Sequence, residues 1–194
     1  MGNEQERELA VAEPLLREFH DTWHAAAALY ATYPAEAIAE HNDTTAANCV
    51  RCHMVHEVMR RFDGCAGCVV KDIRGLKVLI HKDKQVWRFK KLDRLGRHSN
   101  YPTPQQDDFD DQRRLDGIPE HATRLTSGYL LDATGLVMER IVVSRVLGRD
   151  ILWIAQTAIV DGGLEVRDIT PSRIAGTERS DFDAARARGR RGRK

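Results

Sequence analysis

The sequence predicts an α+β fold, with N-terminal helices packed on a mainly antiparallel sheet of about six strands and a disordered basic C-terminal tail. Three observations carry this reading. Up to residue 63 the apolar residues recur at spacings of three and four, the stripe of amphipathic helices. From Cys68 to about Ile169 the period changes to two, as in strands with one buried face. Beyond Ser172 no apolar period survives. A length of 194 residues suits one domain, here 1–171 (helical 1–63, sheet 68–169), followed by the tail 172–194.

The elements follow in order. Leu9, Ala12, Leu15, Leu16, Phe19, Trp23, Ala26, Ala27 and Tyr30 mark one stripe and predict a helix over 4–32. Pro14 either kinks it or sits in the first turn of a helix that starts near Glu13. Pro34 opens a short helical piece, Ala35 to Glu40. Asp43-Thr44-Thr45 offers side-chain oxygens to the first free N–H groups of a helix that runs to about Phe62, where Asp63-Gly64 stops it. Three strands follow over 69–73, 76–81 and 85–92, joined by Arg74-Gly75 and Lys82-Asp83-Lys84. Thr103-Pro104 starts a polar helix over about 104–113. Strands then run over 124–131, 137–147 and 151–160, with Leu164 to Ile169 as a short edge strand. The strand connections are too short for crossover helices, which argues against a doubly wound parallel sheet.

Charge and hydropathy exclude several classes. Lys and Arg number 30 against 29 Asp and Glu, a net charge of +1, so any basic surface is local. No stretch approaches the roughly 18 apolar residues of a membrane helix. The start is polar and acidic, without the basic end and apolar run of a secretory signal, and Glu6 stands where a myristoylation signal has Ser or Thr. The expected location is therefore cytoplasmic, where cysteines are thiols or metal ligands rather than disulfides. No P-loop or GxGxxG string occurs, so nucleotide binding has no support.

All four cysteines lie in one pattern, Cys49-x-x-Cys52 and Cys65-x-x-Cys68. Zinc favours four thiolates in a tetrahedron, and a CxxC lets one turn supply two of them. A structural zinc held by Cys49, Cys52, Cys65 and Cys68 is one expectation, with His53 and His56 on the same helical face as alternative ligands. Four free thiols used as small apolar side chains are the other. Cys52-His53 completes a haem-attachment string, but that chemistry follows export.

A second feature is cationic. Arg88, Lys90 and Lys91 stand on the third strand, with Arg88 and Lys90 on one face and Trp87 and Phe89 on the other. Two cations on the same side would grip phosphates, with Asn100 and Tyr101 in the next loop adding hydrogen bonds or stacking; a solvated strand face is the plainer alternative. The tail carries seven Arg or Lys from Arg179 to Lys194, against Asp181 and Asp183, and would bind nucleic acid weakly or simply keep the chain in solution. A metal-dependent nuclease could be drawn from Glu57, Asp72 and a lysine of the third strand.

An ordered series then extends across the chain: Arg88-Phe89-Lys90-Lys91-Leu92, Ser99-Asn100-Tyr101-Pro102-Thr103 with Gln105, Phe109, Gly117-Ile118-Pro119, and Arg124-Leu125-Thr126 with Gly128-Tyr129. Over roughly residues 40–160 it resembles a family of uncharacterised bacterial and prophage proteins. Those proteins look like partners of helix-turn-helix antitoxins that carry an ImmA/IrrE-type metallopeptidase domain, the arrangement of Rosmerta-type toxin–antitoxin modules. The resemblance implies the non-antitoxin, toxin-like effector of a defence module. It puts the functional surface at Arg88, Lys90, Lys91, Asn100, Tyr101 and Gln105. The family pattern does not require the four cysteines, which makes zinc at most a local staple. The remaining alternatives are a zinc-stapled, non-catalytic module for nucleic-acid or protein binding, and the metal-dependent nuclease.

Overall fold

The change of hydrophobic period divides the molecule as it divides the sequence. The computed structural model describes residues 2–98, 103–133 and 137–171; the predicted tail lies outside them. Helices α1 (Gly2–Ala31), α2 (Ala35–Glu40) and α3 (Asp43–Phe62) precede strands β1 (Cys68–Ile73), β2 (Leu76–His81) and β3 (Gln85–Lys91). Helix α4 (Pro104–Asp110) follows, then β4 (Thr123–Leu131), β5 (Met138–Leu147), β6 (Asp150–Val160) and β7 (Gly163–Asp168).

Pro14 lies inside α1, so this helix neither begins nor ends at the proline. The N-cap of α3 is Asn42, whose Oδ1 accepts from the Thr45 N–H at 2.9 Å; the capping signal sits one residue before the predicted one. Thr103 caps α4 with Pro104 in its first turn, as expected.

Among the described residues the sheet has seven strands in the order β1-β2-β3-β4-β5-β6-β7. Every neighbouring pair is antiparallel except β3 and β4, which run parallel. The exception has a cause in chain length. Residues 92–122 form a long connection, enough to carry the chain back along the sheet, whereas every other pair is joined by a few residues. Two short meanders therefore meet side by side in one sheet.

Alternation then sets two faces. On one, Trp87, Phe89, Leu125, Tyr129, Ile141 and Val143 pack against the stripes of α1 and α3, with Phe19 in edge contact with Trp87 (5.1 Å) and Phe89 (5.3 Å). Trp23 Nε1 donates to Ser127 Oγ at 2.9 Å, so the buried indole is satisfied. Glu8 ties α1 to the far strands: its carboxylate accepts from Arg145 at 2.6 Å and from Trp153 Nε1 at 2.9 Å. Helix α4 and the residues that follow it cover part of the other face. There Phe109, Leu115 and Ile118 pack on Val78, Ile80 and Val86.

Gly128, on that second face of β4, permits the close approach of β3. A Cβ there would stand 2.4 Å from the Lys90 carbonyl oxygen and 2.7 Å from Leu92. The carbonyl belongs to the strand pairing and cannot yield. Gly128→Ala is expected to destabilise the fold by about 1–3 kcal/mol, the usual range for overpacking, and a shift in the urea unfolding midpoint measures it.

Candidate active site at the end of strand β3

The period of two sends alternate residues of β3 to opposite sides. Arg88 and Lys90 face the connection 92–122, and both are buried, at 1% and 5% exposure. The predicted outward-facing basic surface is therefore corrected at these two positions. The reason is tertiary: α4 covers this face, because Phe109 must bury its ring against the sheet.

Burying Phe109 brings Asp110 with it. Arg88 donates to both oxygens of Asp110, at 2.5 and 3.3 Å, and its Nε donates to Thr126 Oγ1 at 2.9 Å. The Arg88 guanidinium also lies over the Phe109 ring, 4.7 Å from its centre. Arg124 approaches the same ring at 5.6 Å and donates to the carbonyls of Asp108 and Arg113, which anchors the end of α4.

His98 completes the cluster. Its Nε2 stands 2.9 Å from Asp110 Oδ2. An ionised carboxylate only accepts, so the proton sits on Nε2 and a neutral ring has its lone pair on Nδ1. Nδ1 is buried and has no hydrogen-bond partner. Burial pushes the Asp110 carboxyl up, but the His98 hydrogen bond and the Arg88 charge outweigh it, holding the carboxyl below its ordinary value.

Lys90 is the fourth member. Desolvation, with Arg51 and Arg88 nearby, pulls its pKa from 10.5 to about 8, against the attraction of Asp110. Its ammonium makes no hydrogen bond or ion pair with any described residue. Arg51 comes from α3, where its Nε donates to the Phe89 carbonyl at 3.0 Å. Oriented imidazole, buried carboxylate and unpaired ammonium form a group suited to proton transfer beside developing negative charge.

The other predicted site residues are dispersed. Lys91 points to the opposite, helix-covered face, beside Tyr129. Gln105 is half-buried in the first turn of α4. Asn100 and Tyr101 lie outside the described residues.

The cysteines do not fit the predicted tetrad. Cys49 and Cys52 lie on α3, Cys65 in the turn after it, and Cys68 at the start of β1. Ten helical residues separate Cys52 from the end of α3, a rise of about 15 Å. Four sulfurs around one zinc, each about 2.3 Å from it, would all lie within about 4 Å of one another. All four are free thiols, Cys52 and Cys65 exposed and Cys49 and Cys68 half-buried. His53, an alternative ligand, has its Nε2 2.9 Å from the Tyr33 hydroxyl.

Glu57 is held by Arg60 at 2.7 Å, while Asp72 caps the β1–β2 turn through the Gly75 N–H, so the proposed nuclease carboxylates serve separate local roles. Among the described residues no three His, Cys, Asp or Glu side chains gather as metal ligands, and no helix is long and apolar enough to cross a membrane.

Sequence reading missed His98 and Asp110. One signal was available: Phe109 is the only apolar residue of an otherwise polar helix, so it had to face the core and carry its neighbour inward. The chain is thus an α+β protein with helices on one face of a mixed sheet and a buried His–Asp–Arg–Lys cluster on the other. Comparisons with family models, with curated proteins and with solved structures find no match to it.

Proposed function

We propose that this chain is the effector of a bacterial toxin–antitoxin or phage-defence module and that it acts on RNA at the His98–Asp110–Lys90 centre. The observation that carries the reading is a desolvated Lys90 ammonium, without a hydrogen bond among the described residues, attracted by the same Asp110 carboxylate to which His98 Nε2 is committed. A desolvated ammonium that feels one carboxylate but makes no hydrogen bond among the described residues is costly, so its retention supports a ligand that supplies negative charge.

RNA suits this group because its 2′-hydroxyl is a built-in nucleophile; the centre then needs only a base, an acid and a cation. His98 Nδ1, covered in the free chain, is uncovered as RNA binds and takes the 2′-hydroxyl proton as that oxygen bonds to the adjacent phosphorus. The P–O5′ bond breaks, and the leaving oxygen takes a proton back from the imidazolium. The products are a 2′,3′-cyclic phosphate and a 5′-hydroxyl. Lys90 stabilises the added negative charge on the phosphoryl oxygens. Asp110 holds the imidazole in the required tautomer, with Arg88 fixing Asp110. The resemblance to Rosmerta-type modules supports a helix-turn-helix antitoxin of the ImmA type as the partner.

The test is incubation of the purified chain with a mixed-sequence RNA, with product ends analysed. Cleavage to cyclic-phosphate ends is expected, falling about 10²–10⁴-fold in His98→Asn with the unfolding midpoint little changed. Intact RNA, or cleavage undiminished in folded His98→Asn, refutes the reading.

A further inference from the structure

The opposite face of the sheet holds a separate opening. Helices α1, α2 and α3 leave a cavity of about 250 Å³ above the ends of β3 and β4. Alanines face it from both long helices, Ala27 and Ala31 from α1 and Ala46 and Ala47 from α3, which is why the helices do not close it. Its lining is otherwise mainly apolar, with two polar groups rising from the sheet.

Those two groups are Lys91 and Tyr129, register partners across the parallel β3–β4 pair, so their side chains adjoin. Tyr129 is 97% buried by its exposure of 3%, yet its hydroxyl hydrogen-bonds to no described residue. The hydroxyl itself is not sealed off: it opens to the cavity, where it is free to donate to a ligand. Burial pushes its pKa upward, so it remains a donor. Lys91 is half-buried and makes no ion pair with a described residue. Asp43, the remaining charged group of the lining, is exposed and so remains hydrated.

We propose that this cavity binds an amphipathic monocarboxylate, its carboxylate accepting from Lys91 Nζ and Tyr129 Oη and its apolar body lying among the alanines. Two adjacent donors in an apolar enclosure define an oxyanion site. One ammonium and one neutral hydroxyl balance a single negative charge, whereas a dianionic phosphate would bring in charge that nothing there offsets. The volume equals about eight waters of liquid, which suits a chain of about ten non-hydrogen atoms.

Octanoate, octan-1-ol and octylamine are the probes, titrated calorimetrically into the full chain. Octanoate is expected to bind with a Kd on the order of 0.1–1 mM, and octanol at least tenfold more weakly. Lys91→Met and Tyr129→Phe should each weaken octanoate about tenfold and leave octanol unchanged. Tyr129→Phe keeps the ring that packs 5.0 Å from Trp23, so its fold is preserved. Absence of saturable octanoate binding, equal binding of octanol, preference for octylamine, or wild-type affinity in both variants overturns the proposal. None of these results bears on RNA cleavage, which concerns the other face.

Discussion

Asp110→Ala is expected to lower the unfolding free energy by about 3–5 kcal/mol, the range for removing one partner of a buried ion pair. Arg88 is 1% exposed and would keep its charge with only Thr126 to receive a hydrogen bond. His98 would lose the acceptor of its Nε2 proton as well. Arg88→Met in the same chain should restore much of the loss, because the pair's main cost is an orphaned charge rather than a missing attraction. Urea unfolding of the two single variants and the double variant measures this cycle. A loss below about 1 kcal/mol in Asp110→Ala would mean that water reaches Arg88.

The same carboxylate gives a pH signature with a definite sign. Its folded pKa lies below 3.8. Its contribution is therefore fully present well above 3.8 and is lost as pH falls through that value toward the folded pKa. Asp110→Asn should flatten this part of the acid limb of the stability profile.

Lys90→Met should have the opposite effect and stabilise the protein. The folded chain releases the Lys90 proton at about 8 and the unfolded chain at 10.5. Between those values the unfolded state binds more protons, so stability rises as pH increases from about 8 to 10.5. Below about 8 the charged, desolvated ammonium imposes a constant cost, up to about 3 kcal/mol by the size of the shift. A methionine of similar length removes that cost and the alkaline rise together. If it also abolishes RNA cleavage, the fold carries this lysine for its chemistry at the expense of stability. A destabilised Lys90→Met would instead mark the ammonium as a structural partner and remove the main support for the reading.

These effects arise where local sequence says least. The helical stripe from Leu9 to Tyr30 and the alternation of Val86, Arg88 and Lys90 against Trp87 and Phe89 are local facts, because each period comes from the geometry of one element. Turn chemistry is local too: Arg74-Gly75 bends β1 into β2, with Arg74 at φ 52° and Gly75 at φ 87°. Thr103-Pro104 starts α4 by the same kind of short-range bonding. Of the candidate sites, only the strand bearing Arg88 and Lys90 was legible, and its orientation was not. A cationic strand face reads alike whether water or a helix covers it.

What covers it depends on the connection 92–122, and its path is not written in any short window. That path makes β4 parallel to β3 and so sets Lys91 beside Tyr129. It also presses Phe109 onto the sheet and pairs Asp110 with Arg88. The CxxC pairs show the same division from the other side. Their spacing alone suits a tetrad, but the α3 helix between them is rigid and keeps the sulfurs apart. Short-range stereochemistry is enough to name the helices, strands and turns of this chain. The charge partners of Arg88 and the burial of Lys90 required distant segments to meet, because burial and Coulomb energy depend on separation in space rather than along the chain.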